Sequence, residues 1–184
     1  MLLPIYIYGH PVLRKASEDI APDYPDLKKF IDDLYRTMDE ADGVGLAAPQ
    51  VGKNIRIFVV DGAAFADKDP ACADFRKVFI NAHIMERRGE AVSRSEGCLS
   101  VPGIHEEVQR PDTIRIRYRD EAWNEHEEEF SGVKAWIIQH EYDHLDGKLF
   151  TDHLSPLKKK LLKNKLNNIS LGKFKATYRV ILPK

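Results

Sequence analysis

Cysteine is scarce: Cys72 and Cys98 are the only two in 184 residues. Two distant thiols build no disulfide framework, which excludes the small stapled scaffolds of the secretory pathway. No run of about 18 apolar residues is present, so no membrane span is expected. The opening stretch, Met1 to Tyr6, has no basic lead and no long apolar core, and reads as no signal peptide. A cytoplasmic location with no membrane partner is the expectation. A dominant charge is also missing, since 28 basic residues face 29 acidic ones for a net of -1. That balance sets up no large field over the whole molecule, and DNA is not an expected partner.

What is present is enough apolar material, 43% of the chain, for one real core. The charge is unevenly spread: from Leu154 onward there are nine Lys/Arg and no acid. Leu27, Phe30, Ile31, Leu34 and Met38 recur at helical spacing and predict a helix over 25–41, started by Asp23 and Pro25 and followed by Gly43. Residues 43–50, GVGLAAPQ, read as a loop. Short β-branched runs predict strands over 55–60 and 78–84, and alternation predicts another over 113–118. Residues 123–130 pair with it through a turn near 120–122, and their charge suits a sheet edge. Ser131 caps a helix over 133–145 that Gly147 ends. Its stripe is Val133, Trp136, Ile137, His140 and His144, so both histidines face inward.

Ser155-Pro156 opens a last helix whose seam is Leu157, Leu161, Leu162 and Leu166, with lysines covering the rest. A closing strand is expected within 174–182. The reading is one domain over 1–184, with 154–184 as a basic extension. The fold class is α+β: antiparallel and mixed strands around a central helix, then the basic helix and closing strand.

The chemistry centres on His140-Glu141-Tyr142-Asp143-His144. Residues four apart share a helix face, so both imidazoles can reach one ion, and Glu141 can touch a water on that ion without binding the metal. Two inward histidines and an acid would be costly to bury without a metal or partners. Two histidines leave a catalytic site one protein ligand short. No glutamate follows Glu141, only Asp146 and Asp152, and position 150 is Phe150 rather than the third histidine of a metzincin. Cys98, in Glu96-Gly97-Cys98-Leu99-Ser100, supplies a thiolate suited to zinc or ferrous iron. Cys72 lacks such a context and reads as structural.

GVGLAAPQ at Gly43–Gln50, EGCLS at Glu96–Ser100 and QHEYDHLDG at Gln139–Gly147 together resemble the three motifs of the peptide deformylase family, in the family's order and at similar spacing. The resemblance implies a metal-dependent hydrolase that removes the N-formyl group from the N-terminal methionine of newly made proteins, releasing formate by attack of a metal-bound water. It implies Cys98, His140 and His144 as ligands of one divalent ion, most often Fe(II), with Ni, Co or Zn as substitutes. Glu141 is then the proton carrier, and the Gln50 amide and the Leu99 N–H serve the oxyanion. The same resemblance puts Val44, Gly45, Glu96, Gly97, Val133, Trp136 and Ile137 beside the substrate, and pairs Arg110 with Asp143. Formyl-Met nascent peptides are the implied partners, with ribosome docking through the basic segment. His105 stands where some relatives carry an arginine. A metallopeptidase cutting internal bonds and a non-catalytic metal-binding or ribosome-associated module are the competing readings.

Overall fold

Residues 1–184 are described by a computed structural model. The elements run β1 (Ile5–Tyr6), α1 (Leu27–Glu40), β2 (Gly45–Ala47), β3 (Ile57–Asp61), β4 (Arg76–Cys98), β5 (Val101–Arg119), β6 (Glu125–Ser131), α2 (Gly132–Leu145), α3 (Pro156–Ser170) and β7 (Val180–Ile181). Strands β2-β3-β4-β5-β6 form one sheet whose pairs are all antiparallel. The one parallel pair is β1 with β7, in a separate two-stranded ladder. The class is therefore α+β, as expected.

Strand β3 shows why its run is apolar at every position. Successive side chains on a strand leave opposite faces. Phe58 and Val60 enter a core with Ala135, Ile137, Ile138 and Leu145 of α2. Ile57 and Val59 enter a second core with Phe30, Ile31, Leu34 and Met38 of α1. All four β3 side chains are fully buried, each contributing roughly 1.5–3 kcal/mol. Helix α2 packs against β2, β3, β5 and β6. Most of its side chains are buried, including Tyr142 and Asp143, so burial extends well past the expected stripe.

Several expectations change. GVGLAAPQ is not a plain loop: Gly45–Ala47 pairs with Val60–Phe58, and a 3-10 turn follows over Ala48–Val51. Strands β4 and β5 are far longer than 78–84 and 113–118, because register shifts between Ile80/His83, Ile84/Glu86, Arg88/Ala91 and Glu96/Cys98 break the alternation. Ser131 sits at the N-cap of α2, but its hydroxyl makes no capping bond. On α3 the seam is shifted. Leu162, Leu166 and Ile169 are buried, whereas Leu157 and Leu161 are 68% and 71% exposed. Only residues near one helical face can reach Ile7, Val101 and Phe150 in the third core. The closing strand shrinks to Val180–Ile181, held against β1.

Candidate metal centre

Two elements bring the candidate ligands together. The last residue of β4 is Cys98, and the turn Leu99-Ser100 returns the chain into β5. His140 and His144 stand one helical turn apart on α2. One ligand atom from each of the three residues lies within 4.8 Å of the others. The Cys98 Sγ to His144 Nε2 separation is 3.4 Å. A tetrahedral site with ordinary metal–sulfur and metal–nitrogen bonds has such an edge at about 3.6 Å. Soft thiolate plus two imidazoles is a donor set for zinc or ferrous iron. The residues fit a divalent ion.

The carboxylate beside them is left waiting. Glu141 is buried, and its Oε2 has no hydrogen-bond partner in the protein. Burial pushes its pKa up to about 7, and a cation at the three donors would draw it back down. Gly45 of β2 passes directly over it: a Cβ there would lie 2.6 Å from the Glu141 carboxyl carbon. The backbone needs a glycine at that close approach.

The two imidazoles are tuned apart. Burial works against charge on His140, but the Cys98 sulfur and Glu96 carboxylate overcome it and hold its pKa well above the ordinary value. Burial, then the neighbouring His140, lowers His144 to about 3, so it is neutral and ready to ligate. Glu96 accepts the His140 Nδ1–H at 2.8 Å, which leaves Nε2 for the ion.

Glu96, expected beside the substrate, is among the residues lining the cleft, and its side chain is 1% exposed. It accepts from Arg110 Nε at 2.6 Å, Arg110 Nη2 at 3.0 Å and Trp136 Nε1 at 2.7 Å, besides His140. Burial opposes its ionisation, yet these donors, His140 first, hold its pKa at about 2. The Arg110–Asp143 pair is present at 2.8 Å, and His153 reaches the same Asp143 oxygen at 2.7 Å. One buried guanidinium thus ties both carboxylates that flank the ligands.

The site opens into a cleft of about 950 Å³ lined by Val44, Gly45, Gln50, Gly97, Leu99, Trp136 and Ile137, among others. Val133 does not line it and packs in the α2 core. Gln50 accepts from the Ala47 N–H at 2.8 Å through Oε1, which aims its Nε2 at Ser100 Oγ (3.2 Å) and Cys98 Sγ (3.5 Å). The Leu99 N–H is engaged by no acceptor within the fold. Strand β2 is a sheet edge, so its outer side is open towards the cleft. Lining groups not assigned to the site from sequence include Phe65, which packs edge-on against Trp136 at 5.4 Å, His105, and the segment Phe174–Tyr178, while the buried Ser100 meets the Gln50 amide behind the cleft wall. That segment carries only weak alternation, and nothing local signals that it folds back onto the site.

The polypeptide deformylase family model matches residues 2–160. The peptide deformylase of Christiangramia forsetii is 51% identical over 190 residues, spanning all of this chain and 97% of its own. That of Cytophaga hutchinsonii is 51% identical over 183 residues, spanning 100% of this chain and 98% of its own. Among solved structures, the Thermus thermophilus peptide deformylase is similar with a TM-score of 0.81 at 38% identity, covering 92% of this chain and 98% of that one. A family match over most of the length, close relatives end to end, and a Cys/His/His group beside a buried glutamate lead to one conclusion: the chain belongs to the peptide deformylase family, hydrolases that remove the N-formyl group of nascent peptides.

Proposed function

We propose that this chain hydrolyses the formyl group from formyl-Met nascent peptides at the Cys98–His140–His144 centre, with Glu141 as proton carrier. The observation that carries the reading is Glu141 Oε2, buried and unpartnered beside three convergent ligand atoms. Cys98, His140 and His144 would hold a divalent ion, Fe(II) on our reading, which would supply Lewis-acid activation of water and of the formyl group. Glu141 accepts the proton of the attacking water and returns it to the departing amine. The Gln50 amide and the free Leu99 N–H donate to the oxyanion. The open edge of β2 at Gly45 takes the peptide as an added strand. Val44, Gly97, Trp136 and Ile137 hold the methionine. Glu96 serves the substrate indirectly, by orienting His140. A formyl carbon bears hydrogen where other acyl groups bear carbon, so a close fit over the ion selects for it.

On this reading the chain is one cytoplasmic catalytic domain over 1–184. Its 154–184 segment is a basic extension that binds ribosomal RNA through Lys159, Lys160, Lys163 and Lys165, together with Lys158, which also pairs with Glu106 at 2.9 Å. Cosedimentation with ribosomes should then fall steeply between low and moderate salt. For the activity, formate release from a formyl-Met peptide is measured anaerobically beside metal analysis of the same sample. Release in proportion to bound ion is expected, and none from fully loaded protein rejects the reading.

A further inference from the structure

The C-terminal segment contributes to the site at a point outside residues 2–160, where the family match ends. Phe174 to Tyr178 line the cleft. The segment is pinned just beyond, where the Ile5 N–H donates to Arg179 O at 2.9 Å and the Ile7 N–H to Ile181 O at 3.0 Å. From this anchored stretch the half-buried Tyr178 donates its hydroxyl to the Leu99 carbonyl at 2.7 Å.

That bond falls on the turn that carries the reaction's groups. Cys98 precedes Leu99, and Ser100 follows it. The turn is held from three directions: Tyr8 N–H to Ser100 O at 2.8 Å, Gln50 Nε2 to Ser100 Oγ at 3.2 Å, and Tyr178 to Leu99 O. Only the last is a hydrogen bond to Leu99 itself, whose side chain packs against the second core. Leu99 lies between the paired residues Cys98 and Val101, and its own N–H bonds nothing in the fold. A backbone donor serves an oxyanion only when it is held in place before charge develops.

We infer that Tyr178 is a positioning residue: by fixing the Leu99 carbonyl, it keeps the Leu99 N–H aimed into the cleft. This rests on the reading of Leu99 as an oxyanion donor. The donor survives loss of the phenol hydroxyl but is free to swing. The rate effect is therefore smaller than deleting a donor, which costs about 10²–10³.

The test is Tyr178→Phe in the full-length, metal-loaded protein, with kcat and KM for a formyl-Met peptide, metal per chain and Tm measured together. Expected is a kcat lowered by about 5- to 50-fold, set below the donor-deletion range, with KM within about twofold and metal content unchanged. An unchanged kcat overturns the inference. So does a loss carried wholly by KM, which would make Tyr178 a wall contact, or a loss that tracks missing metal. Wild-type protein that releases no formate would instead overturn the proposed activity.

Discussion

At the residue scale, two carboxylates 45 positions apart in type of work separate cleanly. Glu141 has a buried oxygen with no partner, whereas Glu96 is bonded by Arg110, Trp136 and His140. Glu141→Gln should keep its metal and lower kcat by about 10²–10⁴-fold, the range for a lost general acid–base group. Glu96→Ala should do the reverse. It frees His140 to rotate and should weaken metal affinity by about 10–100-fold, as seen when a ligand's supporting hydrogen bond is removed. Metal titration alongside kcat at saturating ion distinguishes them. If Glu141→Gln lost the ion and Glu96→Ala kept it, the roles assigned here would be exchanged.

At the scale of elements, α3 and β6 make separate predictions. Leu162 of α3 is 6% exposed and faces Ile7 and Phe150, while its neighbour Leu161 is 71% exposed. Leu162→Ala should cost about 2–5 kcal/mol of stability, and Leu161→Ala no more than about 0.5. Urea unfolding of both variants checks the seam. Strand β6 is an edge tied by its acids: Glu128 to Lys77 and Tyr118, Glu125 to Arg119, with Asp120 holding His126 from the turn. The His126 hydrogen bond lowers the Asp120 pKa to about 2. Burial opposes the Glu128 charge, but Lys77 and Tyr118 prevail and hold its pKa below the ordinary value. Both folded-state values are depressed, so their stabilisation is present above about pH 4, the usual carboxylate range, and fades as pH falls towards 2. Amide exchange in β6 should therefore rise as pH drops through that window, after correction for intrinsic rates. Glu128→Gln should blunt the change. A β6 whose protection ignores pH there would mean these pairs add nothing.

At the scale of the molecule, an ion held by Cys98, His140 and His144 would join β4 to α2 and should act as a staple. Binding to the folded state alone adds about 2.7 kcal/mol when free ion is 100 times its Kd. For a chain this long, that corresponds to a Tm higher by about 5–10 °C. Anaerobic removal of the ion with a chelator should abolish turnover and lower Tm by that amount, and re-addition should restore both. Turnover lost without any change in Tm would show that Cys98 and the histidines hold their places unaided.

The sequence by itself pointed to the candidate ligand set. Helical spacing alone puts His140 and His144 on one face, and the absence of a later glutamate turns attention to Cys98. It also determined α1, α2 and the run of β3, since these follow from periodicity within a dozen residues. Only the tertiary structure decided the rest. The length of β4 and β5 depends on register shifts that local alternation cannot carry. Which leucines of α3 are buried depends on where Ile7 and Val101 lie. That Glu96 is held by Arg110, and that Tyr178 reaches Leu99 across 79 positions, are matters of long-range packing. Such contacts leave no period in the chain, because their two halves meet only once the sheet and helices have formed.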